Sequence, residues 1–176
     1  MSKSSRNVIG ALVVLYLLTR YSKAGATTVS ANLKDYSFKG ASFPAGLARG
    51  MKINNPGNLR DFNQPWQGRV VPSSDSAFYE FESYAYGLRA MIKLLKNYIS
   101  QGDNTIKKIL YRYAPPHENK TDEYISYVER ESGYNRNRVL QGRKDELQRI
   151  IKPMVRIEQG VDGQIERFFN TAYSML

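Results

Sequence analysis

A chain of 176 residues, 41% of them hydrophobic, has room for one ordinary domain with a buried core and a short appendage. It has no cysteine and a single histidine, His117, which excludes a disulfide framework, a thiolate zinc centre, a Cys nucleophile and the two-histidine metal motifs; with no GxGxxG or Walker loop either, no metal and no cofactor is expected. Of the net charge of +10, residues 1–50 hold +6 and residues 51–176 only +4, which points to lipid headgroups at a membrane surface, or to DNA contacted by the basic N-terminal segment, rather than to a basic face within the fold.

The first element is the uncharged apolar run Val8–Leu18, flanked by Arg6 and Arg20. A helix rises ~1.5 Å per residue, so these charges sit ~21 Å apart, short of a ~30 Å bilayer core. Lys3, Arg6, Arg20 and Lys23 can snorkel outward and lengthen the span, with Tyr16 and Tyr21 at the interface. A membrane anchor is the leading reading. A secretory signal cleaved near Ala24-Gly25-Ala26 and a buried soluble helix are its rivals. The basic residues after the run outnumber those before it, which by the positive-inside rule keeps the rest of the chain on the inner side. Residues 23–48 are rich in Ala, Gly, Ser and Thr and read as a flexible linker.

Residues 54–58, NNPGN, carry turn chemistry, with Gly57 expected at positive φ. Residues 66–71 (WQGRVV) and 77–82 (AFYEFE) predict a short β-hairpin across PSSDS. Helices follow. Leu88, Met91, Ile92, Leu95 and Ile99 repeat at helical spacing up to Gly102. Ile106, Ile109, Leu110 and Tyr113 mark a second helix, begun near Asn104 or Thr105 and stopped by Pro115-Pro116. Thr121 is expected to cap a third, which runs to Gly133. Leu147, Ile150, Ile151 and Met154 mark a fourth, kinked at Pro153, and Ile165, Phe168, Phe169 and Ala172 a last one. The expected fold is mainly α with a small β element near its start.

Chemistry in such a chain must come from carboxylates. Glycoside cleavage needs a proton donor and often a second carboxylate. Glu80 and Glu82 share one face of the expected strand, opposite Tyr79 and Phe81. Glu118 lies in the loop APPHENKT beside His117. The rival readings are a solvated strand face for the first two and part of a helix-cap network for Glu118. Asn54, Asn55 and Asn58 can bind sugar hydroxyls or acetamido groups, or can hold a fixed turn. Trp66, the single tryptophan, can stack on a sugar ring or anchor the core.

The strings RGMKINNPGNLR, PWQG, AFYEFESYAYGLRAMIKLLKNY and NTIKKILYRYAPPHENKTDEYISYV together resemble a family of small proteins encoded by bacteriophages and prophages, commonly labelled virion or structural proteins. The resemblance covers about residues 49–133 and, more loosely, IEQG at 157–160. The order of pieces is also similar to the lysozyme-like glucosaminidase and lytic-transglycosylase domains of wall hydrolases, with Asn58-Leu59, Trp66-Gln67-Gly68, Phe78 to Phe81 and Tyr113-Ala114 in the corresponding places. That similarity implies a lysozyme-like helical domain over residues 49–176, which joins the transmembrane helix over residues 1–22 and the linker over residues 23–48 read from the apolar run and the composition. It implies peptidoglycan as substrate, a catalytic acid among Glu82, Glu80 and Glu118, and substrate contacts from Asn55, Asn58, Trp66, Tyr113 and Tyr124. The enzymes of that class carry their acid on a helix before the turn, whereas this chain has no glutamate before Glu80. Either the acid has moved, or the fold is kept for binding.

An N-terminal membrane segment on a phage protein further resembles virion proteins of phages with an internal lipid membrane. This implies the virion membrane as location (the host inner membrane during assembly), with the lipid bilayer and other virion proteins as partners. Three functions are left in view: peptidoglycan processing in entry or release, a non-catalytic structural link between membrane and capsid or vertex, and DNA contact by a membrane protein through its basic N-terminal arm.

Overall fold

A computed structural model describes residues 48–160 and 165–176. Six helices follow one another among them: α1 (Arg49–Lys52), α2 (Tyr84–Ser100), α3 (Ile106–Tyr113), α4 (Thr121–Ser132), α5 (Lys144–Gln159) and α6 (Ile165–Ser174). Together they take up 54% of the described residues.

The long helix α2 is the centre of the packing. Ser83 caps it by accepting the Tyr86 N–H, so it starts one turn before the first residue of the apolar repeat. Leu88, Met91, Ile92 and Leu95 are wholly buried, and truncating any of them to Ala would cost about 2–5 kcal/mol. α6 lies along α2, while α4 packs on α3 and α5 and α1 touches α5. Thr105 caps α3 by accepting from Lys108 N–H at 3.2 Å. Left-handed glycines end α4 (Gly133, φ 71°) and α5 (Gly160, φ 71°), where only a residue without Cβ turns the chain cheaply. α5 runs through Pro153, and its start is held by Glu146, which accepts from the N–H groups of Gln141 (2.8 Å) and Arg143 (3.2 Å).

Two local expectations are corrected. Gly57 is not the left-handed residue of the NNPGN turn: Asn54 (φ 55°) and Asn58 (φ 45°) take that conformation, which asparagine tolerates. A glycine is still needed at position 57, because a Cβ there would come within 2.7 Å of the Tyr113 hydroxyl and 3.0 Å of Met91 Sδ. Thr121 is the first residue of α4, not its cap; its hydroxyl donates back to the Ala114 carbonyl, and Lys120 holds the cap position without a side-chain bond.

The larger correction concerns fold class. The mainly α reading stands, but no strand forms among the described residues. Residues 77–82 instead lie between two partners. They touch Leu59–Asp61 on one side (Tyr79 N–H to Leu59 C=O, 3.0 Å; Asp61 N–H to Ala77 C=O, 3.0 Å) and Gly68–Val70 on the other (Val70 N–H to Glu80 C=O, 2.9 Å; Glu82 N–H to Gly68 C=O, 2.8 Å). Only two isolated antiparallel bridges result, Arg60 with Phe78 and Arg69 with Phe81, because each pairing ends after one or two bonds. The helix ahead of the NNPGN turn, where a lysozyme-like enzyme would carry its acid, is the single turn RGMK without a carboxylate. No helix among the described residues is long and apolar enough to cross a membrane, and the run Val8–Leu18 lies outside them. The description of a lysozyme-like domain with a β-hairpin behind a transmembrane helix is therefore replaced by a mainly α domain whose non-helical stretch at residues 53–83 is pinned by side chains.

Candidate functional site

The pinning is done by asparagines. Asn55 is fully buried; its Nδ2 donates to the carbonyls of Leu59 (2.9 Å) and Tyr79 (2.8 Å), and its Oδ1 accepts from Leu59 N–H (2.8 Å). Asn54 donates to the Phe81 carbonyl at 2.9 Å. One amide thus stitches the NNPGN turn to itself and to the aromatic segment at once, a task a β-ladder would otherwise perform.

Asn58 turns the other way, toward the C-terminal end of α5. Its Nδ2 donates to the carbonyl (3.0 Å) and to Oε2 (2.9 Å) of Glu158, and its Oδ1 accepts from Gln159 Nε2 (3.2 Å). Gln159 Nε2 also reaches the backbone carbonyls of Asn55 (3.2 Å) and Pro56 (2.9 Å). Tyr124 of α4 donates its hydroxyl to Glu158 Oε1 at 3.1 Å, and Tyr113 of α3 donates to the Gly57 carbonyl. Both tyrosines are fully buried. Four of the residues singled out in the sequence, Asn55, Asn58, Tyr113 and Tyr124, thus converge on one internal network around Glu158 and Gln159.

Glu158 is 1% exposed and no basic side chain pairs with it among the described residues. Burial pushes its carboxyl up to about 7, against the opposing pull of the Asn58 and Tyr124 hydrogen bonds. The same carboxylate, added to burial, drives the hydroxyls of Tyr113 and Tyr124 well above the usual tyrosine range. A sequence signal for Glu158 exists. It follows Ile151 by seven residues and Met154 by four, so it falls on the apolar stripe of α5, where a carboxylate is out of place.

The remaining candidates stand apart from this network. Glu80 is half-buried and accepts from Ser74 N–H at 2.7 Å, and Glu82 is exposed. The burial alternation is the expected one, with Tyr79 and Phe81 inside. Glu118 is half-buried, with His117 at 3.3 Å and Arg60 at 3.8 Å. Trp66 packs half-buried against the core. No group of three or more His, Asp or Glu side chains suited to a metal ion occurs among the described residues.

No family model matches the chain. A relative does: Protein P5 of Pseudoalteromonas phage PM2 is 33% identical over 127 residues, which cover 68% of this chain and 78% of that protein. An aligned stretch that long is about the size of the whole described domain, too much to be explained by a shared motif. The chain belongs to the bacteriophage protein family that includes Protein P5 of phage PM2.

Proposed function

We propose that this chain is a structural component of a phage particle, working by contact with other particle proteins rather than by turnover. Kinship with a phage protein supports the setting. The observation that carries the role is the employment of Asn55 and Asn58. Every polar atom of these two side chains is spent within the chain, on the Leu59 and Tyr79 backbone and on Glu158 and Gln159. Groups held that way fix a shape and do not reach a sugar. The Glu158 carboxyl, which burial has pushed up as a general acid needs, is closed off from solvent.

Purified phage particles, washed with high salt and nuclease, should retain the chain as a stoichiometric protein. The isolated full chain should not clear cell-wall material in a zymogram. Absence from particles would overturn the structural reading. So would clearing that is lost on changing Glu80, Glu82 or Glu118 to Gln, which would instead establish a peptidoglycan-processing role.

A further inference from the structure

The charge within the fold is not spread evenly. Residues 133–156 hold seven Lys and Arg against two acids, Asp145 and Glu146. Glu146 is 1% exposed in its side chain and is taken by Arg143 at 2.8 Å. On α5 the cations Arg149, Lys152 and Arg156 recur at spacings of three and four, so they share one face and extend ~10 Å along the helix. The C-terminal end of α4 faces them. Between the two helices lies a groove of ≈ 240 Å³ lined by Glu131, Ser132, Arg149, Lys152, Pro153 and Arg156.

Three cations and one carboxylate therefore line this groove. Glu131 is shared between Arg156 (3.2 Å) and Arg130 (3.0 Å). Lys152 meets Glu166 at the rim. Arg149 is exposed and has no carboxylate within ion-pair distance among the described residues; its guanidinium lies 5.6 Å from the centre of the Tyr134 ring, which also carries Arg138 at 4.1 Å. The ring positions the guanidinium without neutralising it.

We propose that this groove binds the phosphodiester backbone of a nucleic acid, with Arg149, Lys152 and Arg156 meeting phosphate oxygens. A guanidinium offers two parallel N–H donors to a phosphate, and a row of cations along one helix face suits a row of phosphates. A lipid surface fits less well. Lipid-facing basic helices set large apolar side chains beside their cations, whereas here only Val139 among the exposed large apolar residues falls within residues 133–156, and none of them lines the groove. The site uses no residue of the basic N-terminal segment and does not depend on whether the chain is carried in the particle.

The test measures binding of the full chain to a labelled DNA duplex by fluorescence anisotropy across a salt series. Arg149→Ala should lower the slope of log K against log salt by about 1, and the Arg149→Ala/Lys152→Ala double variant by about 2, uniformly across duplex sequences. Lys93→Ala, which removes the same charge from the exposed face of α2, should leave the slope unchanged. Three outcomes overturn the proposal. One is absence of duplex binding by the parent at low salt. Another is an unchanged slope in the folded double variant, which would leave binding to the N-terminal segment. The third is a loss seen only with anionic phospholipid vesicles and not with DNA, which would assign the groove to lipid headgroups.

Discussion

Raising the pH through neutrality should destabilise this fold through one side chain, Glu158. Its carboxyl starts from an ordinary value of 4.5 and burial lifts it to about 7 in the folded chain. For a carboxyl raised on folding, the neutral form suits the native state, so the stability it contributes is fully present below 4.5 and is lost as pH rises toward 7. Each pKa unit is worth about 1.4 kcal/mol, so the full loss is about 3 kcal/mol, a large share of a small domain's stability. The groups facing Glu158 are the Asn58 amide, Gln159 and the Tyr124 and Tyr113 hydroxyls, none of them cationic. Asp75 and Glu129 are shifted downward, so they lose stability on the acid side, below the Glu158 window. Urea denaturation from about pH 5 to about pH 8, followed by circular dichroism, measures the slope. Glu158→Gln should flatten it and stand above the parent at about pH 8, since Tyr124 can accept from the new amide and donate instead to the Met154 carbonyl, now 3.3 Å away. A parent curve that is flat over this range, or one that Glu158→Gln leaves unchanged, would refute the placement of an ionisable carboxyl inside the Asn58–Tyr124 network.

Gly87→Ala should destabilise strongly, by about 3 kcal/mol or more, despite alanine's better helix propensity, because the added Cβ would fall 1.9 Å from the Asn54 carbonyl oxygen; thermal melts check it. Gly57→Val should cost more than about 1 kcal/mol through the Tyr113 hydroxyl and Met91, with no contribution from a left-handed backbone; a neutral effect would mean that this packing gives way freely. Asn58→Ala should cost about 2 kcal/mol, as it strips one hydrogen bond from the Glu158 carbonyl and one from its carboxylate, and loss of the second should raise the apparent Glu158 pKa further, read from the same pH series. Glu82→Gln should leave the melting temperature unchanged, since the side chain is exposed; a large drop would show a structural role for it that the fold does not contain.

What this sequence determined by itself was the set of local, periodic features. The apolar repeats of α2, α3 and α5, the Thr105 cap and the glycine stop at Gly133 depend on side-chain spacing within a few residues, and the structure places them where that spacing predicts. The inward set of Tyr79 and Phe81 against outward Glu80 and Glu82 was legible for the same reason, as a period of two. The tertiary structure decided everything that joins distant segments. A hairpin was a fair reading of residues 66–82, yet residues 77–82 are shared between two partners, so neither pairing extends into a ladder. That Asn58 would spend its amide on a carboxylate a hundred residues away has no local trace, because the hydrogen bond exists only once α5 is docked. Glu158 left only a faint mark, a charge on an apolar stripe, and a carboxylate there reads as surface until the fold closes over it.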